Sequence, residues 1–281
     1  MTTALRAAIV GYPVSHSLSP VMHGYWLQHY GIHGHYGAMA VTADGLKDAL
    51  TEMAARGYAG CNLTMPHKEA ALSLMDVHDE SCLMSGAVNT VVMRGGKMHG
   101  YNSDGFGFVE SLNAQTPGWS GARVVILGTG GAARGIIASL RAAGAAHFVL
   151  VNRTRAKAER VVKQFSMTAV DVVDWQERDA ALERATLLVN CTSLGMTGEG
   201  ALDLDVARLP DDAVVSDIVY RPLETRLLAR SRARGLRVAE GLSMLMHQGR
   251  LGFEHWFGID PAVTQDLANT LLAAMGQKTQ D

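Results

Sequence analysis

The segment Gly128-Thr-Gly-Gly-Ala-Ala-Arg-Gly135 spaces its small residues as Gly128-x-Gly130-x-x-Ala133, a pattern that brings backbone against a dinucleotide pyrophosphate. Gly128 permits the tight turn, Gly130 the close approach, and Ala133 keeps helix near strand, while free N–H groups and the positive helix terminus face the phosphates. About twenty residues further on, an NAD site places an acidic side chain on the ribose 2′-OH. Here the chain reads Val151-Asn-Arg-Thr-Arg-Ala-Lys157, with no carboxylate before Glu159. Arg153, Arg155 and Lys157 suit a 2′-phosphate through charge-assisted hydrogen bonds, so this stretch selects NADP(H). A solvated basic helix start is the bland alternative; basic residues there oppose the helix dipole, which favours a ligand.

Four polar clusters carry the remaining chemistry: Ser15-His-Ser-Leu-Ser19, Asn62-Leu-Thr-Met-Pro-His-Lys68, Asn89-Thr90 and Asn102-Ser-Asp104. Hydroxyls and amides at this density suit a polyhydroxylated small ligand, because a site built to pair each OH rejects analogues that lack one. Lys68 and Asp104 are the candidates for proton transfer, since a carbonyl reduced by hydride becomes an oxyanion that must gain a proton. Taken alone, Lys68 equally suits a surface cation after a proline turn, and Asp104 an N-cap. His16, His23, His67 and His247 lack the spacing of zinc ligands and read as satisfied structural histidines, so no metal is expected. The methionines, Met244 and Met246 among them, read as core packing.

The hydrophobic pattern marks the elements that must hold these residues. Leu5 to Gly11 reads as a strand, a helix follows Pro20, and Leu46 to Arg56 shows one helical face at Leu46, Ala49, Leu50 and Met53. Tyr58 to Pro66 repeats the strand-and-turn signal, Glu69 to Asp76 the helical one, and Val88 to Met93 hairpins through Arg94-Gly-Gly-Lys97. A helix runs from Asn102 through Leu112. Arg123 to Leu127, the glycine loop, a helix through Ala143 and the strand His147 to Val151 form a βαβ unit. Strands at Leu187 to Asn190 and Ala213 to Ile218, with helices between, extend a doubly wound parallel sheet, and Leu242 to Met275 is largely helical. The fold class is therefore α/β, with two α/β domains around a cleft, the second Rossmann-like. The first domain takes residues 1–103 and 240–281, the second residues 104–239.

Composition bounds the class of function. With 281 residues, 48% hydrophobic and 19% charged, the chain has material for two folded domains and lacks the signature of disorder. Lys+Arg 25 against Asp+Glu 27, with no long basic run, leaves no nucleic-acid footprint. Cys61, Cys82 and Cys191 are too scattered for a disulfide framework, which fits a reducing cytoplasm. Met1 to Arg6 shows no leader pattern, and no apolar stretch reaches membrane-spanning length. The expected partner is a small molecule, with neither nucleic acid nor membrane involved; the sequence selects neither monomer nor homodimer.

Six motifs in order make the chain resemble the shikimate dehydrogenase family over nearly its whole length. They are Gly11-Tyr-Pro-Val-Ser-His-Ser-Leu-Ser-Pro-Val-Met-His23, Asn62 to Lys68, Gly86-Ala-Val-Asn-Thr90, Gly100-Tyr-Asn-Ser-Asp104, Asn190-Cys-Thr-Ser-Leu-Gly-Met196 and Gly241-Leu-Ser-Met-Leu-Met-His-Gln248. The resemblance implies that Lys68 and Asp104 are the catalytic pair, either of them the formal acid/base. It implies that Ser17, Ser19, Thr64, Asn89, Tyr220 and Gln248 hold substrate hydroxyls and carboxylate, with Asn62 beside them. For the cofactor it implies Gly128, Thr129, Gly130, Gly131, Ala132, Asn152, Arg153 and Thr154, with Ile218 and Gly241 near the nicotinamide. The implied reaction is NADPH-dependent reduction of 3-dehydroshikimate to shikimate, a step of aromatic amino-acid biosynthesis.

Three positions depart from the commoner family form: Gly24 and Leu63 stand where Asn and Val are usual, and Ser103 where Thr is. Ser103 keeps the hydroxyl and Leu63 alters packing alone, whereas Gly24 removes a polar group near the mouth of the implied site. These departures are compatible with a paralogue acting on quinate or another shikimate-like compound. A non-catalytic NADP-binding regulator is the alternative of a different class; retention of both Lys68 and Asp104 favours an enzyme.

Overall fold

The computed structural model describes residues 4–119 and 123–276. Residues 1–3, part of the stretch read for a leader, and 277–281, at the end of the first expected domain, lie outside the described residues. The chain divides into two compact units, Met1–Asp104 with Leu245–Asp281, and Gly105–Met244.

Six strands build the sheet of the first unit: β1 (Leu5–Gly11), β2 (Gly34–Ala40), β3 (Gly60–Leu63), β4 (Val77–His78), β5 (Thr90–Arg94) and β6 (Lys97–Tyr101). Their spatial order is β2-β1-β3-β5-β6-β4. β1 runs parallel to β2 and β3, while β5 is antiparallel to both β3 and β6, so the sheet is mixed. The β5–β6 hairpin turns through Gly95 and Gly96, at φ of 61° and 73°. Two successive positive φ values favour glycine and match the twist of the flanking strands.

Helices α1 (Ser19–His29), α2 (Leu46–Ala55) and α3 (Glu80–Ser85) belong to this unit. Pro20 sits in the first turn of α1, where its missing N–H leaves no bond unmade. Leu50 and Met53 of α2 pack against Ala8, Val10, Cys61 and Leu63 of the strands, each large side chain contributing about 1.5–3 kcal/mol by burial. The stretch expected to be helical over Glu69 to Asp76 forms only a short 3-10 segment, Ala70–Leu74.

The second unit begins with α4 (Asp104–Gln115), α5 (Gly131–Ala142), α6 (Arg155–Gln164) and α7 (Arg226–Ala233) around strands β7 (Arg123–Leu127), β8 (His147–Asn152), β9 (Val170–Asp174), β10 (Leu187–Asn190), β11 (Val214–Asp217) and β12 (Arg237–Glu240). Every strand pairs parallel to its neighbours, in the order β12-β11-β10-β7-β8-β9. This is the doubly wound dinucleotide-binding order, and its switch point lies between β7 and β10. Helices cover both faces, so β7, β10 and β11 are buried almost end to end. One expectation is corrected: between β10 and β11 the described chain holds no α-helix, only a 3-10 turn at Val206–Arg208. Gly195, Gly198 and Gly200 interrupt helical propagation, and Leu202, Leu204, Val206 and Leu209 are buried from an extended path instead.

Helices α8 (Gly241–Phe257) and α9 (Gln265–Ala274) complete the chain. Within the first unit, the indole N–H of Trp256 donates to the Val91 carbonyl at 3.0 Å, and the Phe253 ring lies 5.3 Å from that of Trp26.

Candidate active site

Three loops of the first unit meet at one end of its sheet because of strand register. β1 and β3 are parallel and end side by side, Val10 opposite Leu63. The loops that follow are tied by Thr64 N–H to Val10 O at 3.0 Å and Tyr12 N–H to Met65 O at 2.9 Å. Antiparallel β5 starts at this same end, with Thr90 opposite both Asn62 and Tyr101. Thr64 to Lys68, Asn89, and Ser103 with Asp104 therefore share one edge.

The Lys68 ammonium donates to Asp104 Oδ2 at 2.6 Å, with the two side chains only 16% and 4% exposed. Asp104 opens α4, where a negative charge complements the helix dipole. Its backbone N–H is taken by Asn102 Oδ1 at 3.1 Å, so Asn102 acts as the cap and the Asp104 carboxylate stays available to Lys68. The turn bearing Lys68 follows the cis bond Met65-Pro66. It is anchored by Val88 N–H on Lys68 O at 2.7 Å and by the buried His67 ring, 2.8 Å from Val41 O.

Asn89 is the hub of the cluster. Its Oδ1 accepts from Ser103 N–H at 2.8 Å, and because a backbone N–H can only donate, this contact fixes which way the amide faces. Nδ2 must then point at Asp104 Oδ1 (2.9 Å), Ser103 Oγ (3.0 Å) and Gln248 Oε1 (3.2 Å). Both oxygens of Asp104 thus accept, one from an ammonium and one from an amide.

Asn62 supports Asn89 from behind, its Nδ2 donating to Asn89 O and Thr90 Oγ1, both at 3.2 Å. The remaining acceptor of Asn62 is filled by the Tyr36 hydroxyl at 2.6 Å. Tyr36 was absent from the sequence reading, since a tyrosine in a glycine-flanked strand carries no signature of this role. Its ring stacks on His23, centroids 3.9 Å apart. His23 is fully buried, and burial, opposed by a side-chain contact with Asn62, lowers its pKa to about 3. Of the other implied residues, Ser19 opens α1 and its N–H donates to Ser17 Oγ at 3.2 Å. Tyr220 belongs to the second unit, just past β11.

The glycine loop of the second unit lies at the switch point. Gly128 has φ +90°, and a Cβ there would stand 3.0–3.2 Å from Thr192 and Cys191. Gly130 differs: it caps α5 in extended backbone, and a Cβ would meet no protein atom within 4 Å. Thr129 Oγ1 is buried without a partner, and α5, beginning at Gly131 and Ala132, has no side-chain cap. An open approach, an orphaned hydroxyl and free helix N–H groups fit a dinucleotide phosphate. At the end of β8, Asn152 Nδ2 bonds Thr154 O at 2.9 Å. Arg155, half-exposed, pairs with Glu159 at 2.8 Å and with Asp174 at 3.3 Å. Arg153 is exposed at the start of the same turn. Ile218 and Gly241 are brought together, a Cβ on Gly241 falling 2.5 Å from Ile218 O. Among the described residues no cluster of three or more His, Cys, Asp or Glu could hold a metal ion, and no helix is long and apolar enough to cross a membrane.

Known proteins resemble the chain over nearly its whole length. A family model described as the shikimate dehydrogenase substrate binding domain matches residues 9–91, and one described as shikimate / quinate 5-dehydrogenase matches residues 110–196. A shikimate dehydrogenase (NADP(+)) from Methylocella silvestris is 49% identical over 266 residues, covering 94% of each chain. The crystal structure of shikimate 5-dehydrogenase from Thermus thermophilus in complex with NADP(H) and shikimate superposes with TM-score 0.85 at 37% identity, covering 96% of this chain and 98% of that one. A quinate dehydrogenase from Corynebacterium glutamicum in complex with NAD has TM-score 0.88 at 29% identity, over 96% and 99%.

Proposed function

The chain belongs to the shikimate dehydrogenase family, and on that premise we propose that it reduces 3-dehydroshikimate reversibly to shikimate with Lys68 and Asp104 as the proton-handling pair. It is an NADP-dependent oxidoreductase acting on a CH–OH group. The observation that carries the residue roles is the Lys68–Asp104 contact at 2.6 Å, nearly closed to solvent and oriented by Asn89.

NADPH supplies the hydride to the carbonyl carbon when bound. Lys68 donates its ammonium proton to the oxygen that becomes the hydroxyl, and takes one back from that hydroxyl in the reverse direction. Asp104 accepts hydrogen bonds at both oxygens, which makes it the group that orients Lys68 and receives a substrate hydroxyl. Asn89 and Gln248, already bonded to each other, present further groups to the substrate's hydroxyls. Ser17, Ser19, Thr64 and Tyr220 complete the set that holds the substrate's hydroxyls and carboxylate. The first unit is the substrate domain and the second the NADP domain. Gly128 to Ala132 receive the pyrophosphate, and Asn152, Arg153 and Thr154 the adenosine ribose with its 2′-phosphate.

The product places the enzyme in aromatic amino-acid biosynthesis, a cytoplasmic pathway. Quinate, the ligand class of one structural neighbour's family, is the rival substrate, and a basic Arg153 with no carboxylate before Glu159 favours the NADP-linked reading. Initial rates at the nicotinamide absorbance band, with shikimate and quinate each paired with NADP⁺ and NAD⁺, test the proposal. Turnover confined to shikimate with NADP⁺ is expected. Preference for quinate, or no turnover with either, would overturn it.

A further inference from the structure

The carboxyl ends of β10 and β11 hold a buried carboxylate that the reaction as derived above does not use. Asn190 and Asp217 are register partners at the last position of the two strands. Asp217 is 1% exposed and takes three uncharged donors: Asn190 Nδ2 at 2.9 Å and Val219 N–H at 3.0 Å on Oδ1, and Thr225 Oγ1 at 2.7 Å on Oδ2. Burial raises its pKa to about 6 in spite of these donors. These three donors carry no charge, so a structural ion pair does not explain the carboxylate.

The network extends to the loops on both sides of β10 and β11. Asn190 Oδ1 accepts from Thr192 N–H at 3.0 Å and Thr192 Oγ1 at 2.7 Å, and Asn190 Nδ2 also reaches Leu194 O at 3.1 Å. The Thr192 methyl packs against Gly128, 3.0 Å from where a Cβ would stand. On the other side Val219, whose N–H is held by Asp217, and Ile218 turn their carbonyls onto Gly241, 2.7 Å and 2.5 Å from a Cβ there. Thr225 in turn caps α7 through Leu228 N–H at 3.3 Å. One carboxylate therefore sets the loop after β10, the Ile218–Gly241 contact and the start of α7.

A doubly wound dinucleotide fold is two mononucleotide-binding halves whose ligand lies beyond the carboxyl ends of the strands. β7 to β9, with the glycine loop and Arg153, form the adenosine half; β10 to β12 form the nicotinamide half. We propose that Asp217 is a positioning residue for the nicotinamide half of the cofactor, holding Asn190, Val219 and Thr225 so that the loops contacting that half keep one shape. The proposal rests on the NADP reading above.

Titration calorimetry on the full chain, comparing NADPH with adenosine 2′,5′-bisphosphate, which lacks the nicotinamide half, separates the two ideas. Wild-type protein that binds neither ligand would overturn the NADP reading and this proposal with it. Given wild-type binding of both, Asp217→Ala is expected to weaken NADPH by about tenfold or more and the bisphosphate by less than about threefold. Asp217→Asn keeps an acceptor for Asn190 and Val219 and an N–H for Thr225, so NADPH affinity stays within about threefold of wild type. Should Asp217→Ala fail to fold, Thr192→Val cuts the same network while keeping the methyl against Gly128, and the same split is expected. Equal loss of both ligands, or loss of neither, overturns the proposal and leaves Asp217 a stability element alone.

Discussion

Replacing Gly130 by Ala separates what the fold needs from what the cofactor needs. The residue sits at φ −79° and ψ −173°, open to any L-amino acid, and its missing Cβ faces no protein atom within 4 Å. Lost freedom of the unfolded chain stabilises the variant by about 0.4–1 kcal/mol. Ala is a poorer N-cap than Gly, which costs about the same. The two offset, so the ligand-free variant should melt within ~2 °C of wild type.

The bound state differs, because the methyl occupies the path by which backbone N–H groups reach a phosphate. If affinity falls about 100-fold, NADPH at 100 times the wild-type Kd stabilises wild type by about 2.7 kcal/mol and the variant by about 0.4 kcal/mol. At ~2–4 °C per kcal/mol, the NADPH-induced rise in Tm drops from ~5–11 °C to ~1–2 °C. Differential scanning fluorimetry with and without NADPH reads both quantities. A full NADPH-induced rise in the variant would refute close backbone approach at Gly130, and a large fall in the ligand-free Tm would refute the open space.

Lys68→Ala should lower kcat by about 10²-fold or more while leaving NADPH affinity unchanged by fluorescence titration; wild-type turnover would remove Lys68 from the chemistry. Arg153→Ala should raise the KM for NADP⁺ by about tenfold or more without affecting NAD⁺, whereas Arg155→Ala, already committed to Glu159 and Asp174, should change it by less than about threefold; equal effects would contradict the division of labour. His23 is held neutral, its pKa near 3 against an ordinary 6.5, so it contributes stability that is complete above pH 6.5 and is lost as pH falls toward 3. Urea unfolding of His23→Phe should therefore show a fall in stability between pH 6 and 4 that is smaller than wild type's by about 2 kcal/mol, and parallel pH profiles would speak against it.

What the sequence disclosed follows how local each signal is. β1, β7, β10 and the Gly95-Gly96 turn are short, largely apolar runs or a two-residue turn code, and their bounds are legible to within a residue or so. The family and the α/β class were legible because six motifs stand in order. The segment after β10 misled, since its leucines alternate like an element while its glycines forbid a helix. Asn89 was singled out by resemblance, but the Ser103 N–H that fixes its amide is a fact of register between β5 and β6. The Tyr36–Asn62 and Asp217–Asn190 bonds span 26 and 27 positions in the chain, and His23 is marked by its burial; no spacing rule marks such residues.

The first unit is assembled from two stretches of chain separated by the whole of the second. During synthesis from the N-terminus, the loops carrying Lys68 and Asn89 emerge well before Phe253, Trp256 and Gln248 exist. Until then Val91 lacks the indole donor and Trp26 its aromatic neighbour, so an early sheet waits with part of its apolar face uncovered. The parallel sheet of Gly105–Met244, by contrast, is contiguous in the chain and can close as soon as β12 has been made. Assembly order is therefore the reverse of sequence order: the domain encoded first is finished last, and a ribosome that stalls just past Met244 releases a molecule with a complete nucleotide fold and an unfinished site for proton transfer.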